Sequence, residues 1–366
     1  MGILKRVDRV IVAVGGTCPA LERLDNGDLL VAYRDDLLSP DHRVSLTRSV
    51  DGGRTWSKEF TFSEGRSPGD TKPFYGHDGM VQLSNGTILL PYMVRHEQAG
   101  SGVVLRKSTD RGRTWSDPIA VAPTEGPTEN LVNTVSYGRI RELQDGSVIL
   151  PMMSRRRGER YGRCGYLLSR DGGEQWSEYV TAAHGRHAGD ENAFIQLPSG
   201  RILCVCRDPV NTHGHGVGPL YSTWSDDNGK TWAELEMVSW SDPRHGHSPT
   251  FFTTKSGTLI CAYRYVAEMD QHNIGGVAFC HIAEEGLVWH NETYVFGSIM
   301  KLSLLLGYRY LVGAGYPSIA YADESRILLV HHSHPLPHVP QRDIEGVFYI
   351  EEDDKLSRNH GSTVVG

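Results

Sequence analysis

The chain of 366 residues carries 39% hydrophobic and 22% charged side chains, a formal charge of −7, 41 glycines and 18 prolines. That balance is apolar enough for a folded core and too acidic for a general nucleic-acid or anionic-membrane surface. Its glycine and proline content suits many short strands joined by tight turns.

In chain order, "MGILKRVDRVIVAV" lacks the apolar core and small-residue cleavage site of a secretory signal, and no apolar run is long enough to cross a bilayer. A cytoplasmic location is expected for the sequence as it stands, or a secreted one if a leader was removed. The first repeat then reads "CPALERL", the turn "DNG", "DLLVAYR", "RVSLTRS", the box "SVDGGRTWS" and "KEFTF". The box pattern Ser-x-Asp-x-Gly-x-x-Trp returns at Ser108, Ser169 and Ser225, with Trp56, Trp115, Trp176 and Trp232 in step. A decayed fifth copy, "AEEGLVW", keeps Gly286 and Trp289. Successive tryptophans are 59, 61, 56 and 57 residues apart. Turns ending at Gly86, Gly146, Gly200 and Gly257, and "DES" at Ser325, head the corresponding second strands. Four-stranded antiparallel units at a period near sixty predict an all-β fold, a six-bladed β-propeller. The last unit, "GYPSIAYADESRILLVHH" with "DIEGVFYIEED", is one strand short, and "VDRVIVAV" can supply it. One propeller domain over 1–354, closed by the N-terminal strand, and a tail over 355–366 are therefore expected.

Within each box the Asp accepts bonds from turn amides, the Gly supplies a positive φ and the Trp buries a large ring. These are needs of a hairpin, so Asp51 and its equivalents stay outside the catalytic set. Cys18, Cys164, Cys204, Cys206, Cys261 and Cys280 form no Cys-x-x-Cys pair and read as buried thiols.

Chemistry is expected where six blades present the same edge around one axis. The start of each innermost strand and the end of the second strand lie at one end of the blade. The first set is Thr17 and Cys18, Gly76 to Asp78 with His77 between, Ser136 and Tyr137, Asp190 and Glu191, His247 and Ser248, and Gly315 and Tyr316. Arg34, Arg207, Arg264 and His332 stand seven residues after their turns, and Arg95 and Arg155 nine after theirs. Arginines at equivalent strand ends predict an anion-binding mouth, because guanidinium groups pair bidentately with carboxylates. His213 with His215 and His245 with His247 are the histidine pairs that bear on a metal site, but no carboxylate accompanies them at ligand spacing.

With these boxes, period and mouth residues, the chain resembles the sialidase superfamily of bacterial and trypanosomal neuraminidases over nearly its whole length. In that family a Glu heads the fourth blade and an Arg ends the next strand; "ENAFIQLPSGRILCVCR" gives Glu191 and Arg207, sixteen residues apart. The resemblance also implies Tyr316, in "GYPSIAY", as nucleophile and Asp41, in the loop before the first box, as acid/base. Two features depart from the family. Its Arg-Ile-Pro opening is here "TCP", with Thr17 in place of arginine, and the blade-five stretch "DQHNIGG" holds no arginine. Arg34 and Arg264 are the neighbouring substitutes; His77, Asp78, His247, Arg95 and Arg155 complete the expected substrate contacts.

The resemblance thus implies an exo-acting, retaining glycoside hydrolase. A tyrosine nucleophile avoids the repulsion that a carboxylate would meet at a carboxylate-bearing anomeric carbon. The expected partner is a glycan or small anionic sugar, with no metal or organic cofactor, no nucleic acid and no membrane. Two alternatives stay open: a lyase acting on uronate-containing glycans, and a non-catalytic carbohydrate-binding propeller.

Overall fold

The computed structural model describes residues 3–35, 43–62, 70–74, 79–96, 100–122, 131–176, 179–209, 219–238, 246–269, 272–290, 293–295, 314–333 and 342–352. These residues form six antiparallel sheets whose main strands follow one another outward, and the fold is a six-bladed β-propeller. Blade 1 runs through Gly16–Arg23, Leu29–Asp35, Arg43–Ser49 and Ser57–Phe62. Blades 2 to 5 repeat that order. Blade 6 is assembled from both parts of the chain: Gly315–Tyr321, Arg326–Ser333 and Asp343–Glu352, with Ile3–Ala13 antiparallel to the last as its outer strand. Arg9 pairs there with the buried Glu345 at 2.7 Å. The tail 355–366 lies outside the described residues.

Each second strand contains a continuous apolar run, such as "LLVAY" from Leu29 or "ILCVC" from Ile202, because both of its faces are buried. Successive side chains of a strand point to opposite faces. Leu29, Val31 and Tyr33 therefore pack with blade 6, whereas Leu30 and Ala32 pack with blade 2. The core is six layers, one between each pair of adjacent blades. All six cysteines are buried thiols within or beside these layers.

The turns between first and second strands repeat one bonding scheme. Gly27 N donates to Leu24 O and Leu24 N to Asp28 O, with the same pair of bonds at Leu83, Leu143, Leu197 and Thr254. In blade 6 the turn keeps one of the pair, Ala322 N to Arg326 O, and Asp323 Oδ1 accepts from the amides of Ser325 and Arg326, at 2.9 and 2.8 Å.

The boxes are structural, and they do more than turn the chain. In the first, Asp51 Oδ1 accepts from Arg54 N and Thr55 N at 3.0 Å each, and Trp56 Nε1 donates to Gly53 O at 3.0 Å. The decayed copy keeps the second part, Trp289 Nε1 to Gly286 O at 3.1 Å. The glycine before each Trp is also pressed on the preceding blade. A Cβ on Gly229 would come within 2.0 Å of Tyr166 Oη in blade 3, and one on Gly286 within 2.9 Å of Leu203 in blade 4. Each box thus fastens its blade to the one before it.

Two outcomes are expected. Gly27, with φ 87°, faces open space, whereas Gly229, with φ 85°, faces the buried Tyr166 ring. Gly27→Ala should cost only the left-handed strain, about 1 kcal/mol. Gly229→Ala should add overpacking of about 1–3 kcal/mol; equal losses in denaturant titrations would contradict the docking role. Removing residues 3–13 uncovers the strand Asp343–Glu352 along its length. The shortened protein should aggregate, and a monomeric, fully folded product on size exclusion would contradict closure by that strand.

Candidate active site

Three innermost strands share one irregularity at the mouth. Their register slips between Thr17 and Ala20, between His247 and Thr250 and between Gly315 and Ser318. At the slips Cys18, Ser248 and Tyr316 take left-handed φ values of 52°, 51° and 55°, and a proline follows each. One extra residue in a strand re-aims the side chain. The prolines lose no sheet bond on the side facing the axis, where an innermost strand has no neighbour. A tyrosine in this conformation stores about 1–3 kcal/mol of strain, of the kind that gathers at functional sites.

The bulges converge on Glu191, which is 2% exposed. Tyr316 Oη donates to Glu191 Oε1 at 3.0 Å. From blade 5, Ser248 donates both its N–H and its hydroxyl to Glu191 Oε2, at 2.7 and 2.9 Å. One carboxylate oxygen is thereby given to the phenol and the other to an anchor. Arg207 N donates to Glu191 O at 2.9 Å, so the sixteen-residue interval is that of two residues facing each other across a hairpin. The Arg207 guanidinium lies 3.7 Å from Glu191 Oε2 and 3.5 Å from Asp190 Oδ2.

Electrostatics separate the groups. The charge on Glu191, with burial, pushes the Tyr316 phenol well above 10, so it is protonated at rest. Burial is the largest influence on Glu191 and raises it. Arg207, His247 and the bonds from Ser248 and Tyr316 outweigh that and hold the carboxyl below its ordinary value. Burial and the Glu191 charge push Asp190 up to about 6, against Arg207. Adjacent carboxyls therefore titrate apart, Glu191 losing its proton first and Asp190 keeping one until the pH approaches about 6.

Several other expected residues stand at the same level. His247 is buried opposite Arg264, and Arg34 is opposite Thr17. Arg264 lies against Gly315, where a Cβ would come 2.9 Å from its Cδ. Arg264 Nε and Thr17 Oγ1 are buried without a hydrogen-bond partner among the described residues, the kind of group a ligand completes. Asp41, His77 and Asp78 fall outside the described residues, as do His213, His215 and His245, and only the backbone of Arg95 is described. Arg155 is exposed and lines a side pocket between blades 3 and 4. Among the described residues no group of three His, Cys, Asp or Glu side chains is arranged to hold a metal.

Three residues placed at the mouth by the sequence, but given no role there, are gathered by the structure as well. Ser248 anchors Glu191. Tyr137 lies near enough for the Glu191 and Asp190 charges, after burial, to raise its phenol well above 10. His332 stacks at a tilt on Tyr316, with ring centroids 5.3 Å apart, and its Nδ1 accepts from Cys18 N at 3.4 Å. The dipeptides Cys18-Pro19, Ser248-Pro249 and Tyr316-Pro317, at matching places in three repeats, are the sequence signal that marks the bulges.

Comparison with known proteins agrees with this fold. Residues 76–273 match the model of the BNR repeat-like domain family. A sialidase of Bacteroides fragilis is 26% identical over 249 residues, covering 60% of this chain and 43% of that protein. One from Micromonospora viridifaciens is 24% identical over 233 residues, 55% of this chain and 36% of that protein. The chain thus spans less than half the length of these curated relatives. Among solved structures, a Dyadobacter fermentans protein of unknown function superposes with a TM-score of 0.74 at 19% identity, covering 95% of this chain and 99% of that one. A Trypanosoma rangeli sialidase in complex with 2,3-difluorosialic acid as a covalent intermediate gives a TM-score of 0.65 at 14% identity, covering 93% of this chain and 54% of that one. With more than half of its length matching the family model on this propeller, the chain belongs to the BNR repeat-like family of the sialidase superfamily.

Proposed function

We propose that the protein is a retaining, exo-acting glycoside hydrolase of sialidase type, acting on a terminal sugar that bears a carboxylate at its anomeric carbon. The observation that carries this reading is the 3.0 Å hydrogen bond from the Tyr316 phenol to a buried, ionised Glu191. The curated relatives that match are named sialidases, which supports the same reaction class.

Tyr316 is the nucleophile. A phenol is neutral until it reacts, so it approaches a carboxylate-bearing carbon without the repulsion an ionised Asp or Glu would meet. As the new C–O bond forms, its proton passes to Glu191 Oε1, while Ser248 holds the other oxygen still. Asp41, between the second and third strands of blade 1, protonates the departing oxygen and then activates the water that releases the sugar. Arg207 and Arg264 receive the substrate's carboxylate, with Arg34 and His247 on the same ring. Conversion of one difficult displacement into two easier ones is the source of the rate gain.

Tyr316→Phe keeps the ring and removes the attacking oxygen, so turnover of an aryl glycoside of sialic acid should fall by at least about 10³-fold. Glu191→Gln should be nearly as damaging, since the phenol then lacks a base. Asp41→Asn should slow substrates with poor leaving groups most and activated aryl glycosides least. Arg207→Lys should weaken anionic sugars more than neutral ones. Undiminished hydrolysis by Tyr316→Phe would remove the mechanism, and a product absorbing as an unsaturated uronate would move the reading to a lyase.

Asp190 supplies a pH test. A carboxyl raised from ~3.9 in the unfolded chain to about 6 in the folded one lets the native state bind the extra proton between those values. Its contribution to stability is present below about pH 4 and lost as pH rises through about 6. Asp190→Asn should therefore raise the melting temperature relative to the parent at pH 8, and by clearly less at pH 4.5. Equal effects at the two pH values in calorimetric scans would contradict the assignment.

A further inference from the structure

Beside the mouth, between blades 3 and 4, lies a cavity of about 340 Å³ whose lining includes Arg155, Arg160, Tyr161, Arg186, Gly189 and Pro209. Gly189 is two residues before Glu191 and Pro209 two after Arg207, so two of the segments that line it also carry residues of the reacting centre. Gly189 also lies hard against Gly162: with φ 98°, a Cβ on it would come 2.3 Å from the Gly162 Cα. Two bare backbones in contact leave open the space that side chains there would fill.

The chemistry of the lining is one-sided. Three arginines line the cavity in a protein whose formal charge is −7. Among the described residues none of the three has a carboxylate partner, because the nearby acids are already committed. Glu159 is held by Arg163 and faces His184, and Asp208 pairs with His187 at 3.0 Å. Arg160 sits 5.3 Å from the ring of Tyr161, which adds a flat apolar face beside the charge. Three like charges in one concavity repel one another and attract an oxyanion, and guanidinium forks match carboxylate and sulfate geometry. The volume is in the range of small-ligand sites.

We infer that this cavity is a second anion subsite, which takes the carboxylate or sulfate of the sugar next to the one that is cleaved. The inference rests on the hydrolase reading for its place in the reaction. It narrows the substrate to glycans with two acidic sugars in succession, the terminal one at Tyr316 and the next over Tyr161 with its oxyanion among Arg155, Arg160 and Arg186.

The test is binding without turnover. Isothermal titration compares glucuronic acid and N-acetylglucosamine 6-sulfate with neutral glucose and N-acetylglucosamine, on the parent, on Arg207→Lys and on Arg160→Gln/Arg186→Gln. At least one acidic sugar should bind about tenfold or more tightly than its neutral counterpart, and the double substitution should remove at least about tenfold of that affinity. A response to glucuronic acid identifies a carboxylate subsite, and one to the sulfated sugar a sulfate subsite. Equal binding of acidic and neutral sugars, absence of binding, or loss in Arg207→Lys with none in the double variant would overturn the inference. Melting temperatures of the variants separate lost binding from lost folding. Loss of the subsite would leave hydrolysis of simple aryl glycosides by the parent intact, whereas failure of the hydrolase reading would leave the titration unchanged.

Discussion

A four-stranded sheet with apolar side chains on both faces cannot be stable alone, and burial of those faces between neighbouring blades is the constraint from which the rest follows. Leu29, Val31 and Tyr33 go to one neighbour and Leu30 and Ala32 to the other, so every blade needs two partners. Six layers close only as a ring, which is why a strand from early in the chain completes the sheet from its end. The boxes reinforce the same contacts, because the glycine ahead of each Trp lies on the blade before it.

A ring of blades brings six equivalent strand starts together, and small departures from that equivalence make the chemistry. Asn192–Gln196 pairs in register with Ile202–Arg207, which leaves Glu191 opposite Arg207. The strands beginning at His247 and Gly315 each carry an extra residue, and that residue is turned toward the carboxylate: Ser248 as anchor and Tyr316 as hydrogen-bond donor. The strain at those positions is borne by a scaffold whose inter-blade layers are already filled. Stability and reactivity therefore reside in different parts of the same strand.

Much of this was legible in the sequence because the signals repeat. The Trp spacing and the turn glycines determine blade number and strand order, and the interval from Glu191 to Arg207 follows from hairpin pairing. Other features depend on contacts between distant residues. That Gly229 touches Tyr166 is invisible locally, since its positive φ in the turn already accounts for a glycine there. Trp289 keeps its bond to Gly286 although the box aspartate is gone, because that bond does not involve the aspartate. The roles of Ser248 and Tyr137 were hidden for a similar reason: a one-residue bulge or a cross-ring contact changes which side chain meets Glu191. Arg155, grouped with the mouth arginines by counting from its turn, instead lines the side cavity, because its strand runs past the mouth and it shares that cavity with Arg160 and Arg186.

The central claim is that Tyr316 forms a covalent bond to the sugar, and trapping that bond tests it most directly. An activated 3-fluoro derivative of sialic acid slows release of the glycosyl-enzyme more than its formation, so the intermediate accumulates and can be digested and sequenced by mass spectrometry. The account predicts one added sugar per chain, carried on the peptide containing Tyr316 and located on its phenolic oxygen, with none in Tyr316→Phe. A label on Glu191 or another residue, or turnover of the activated sugar with no label at all, would contradict it.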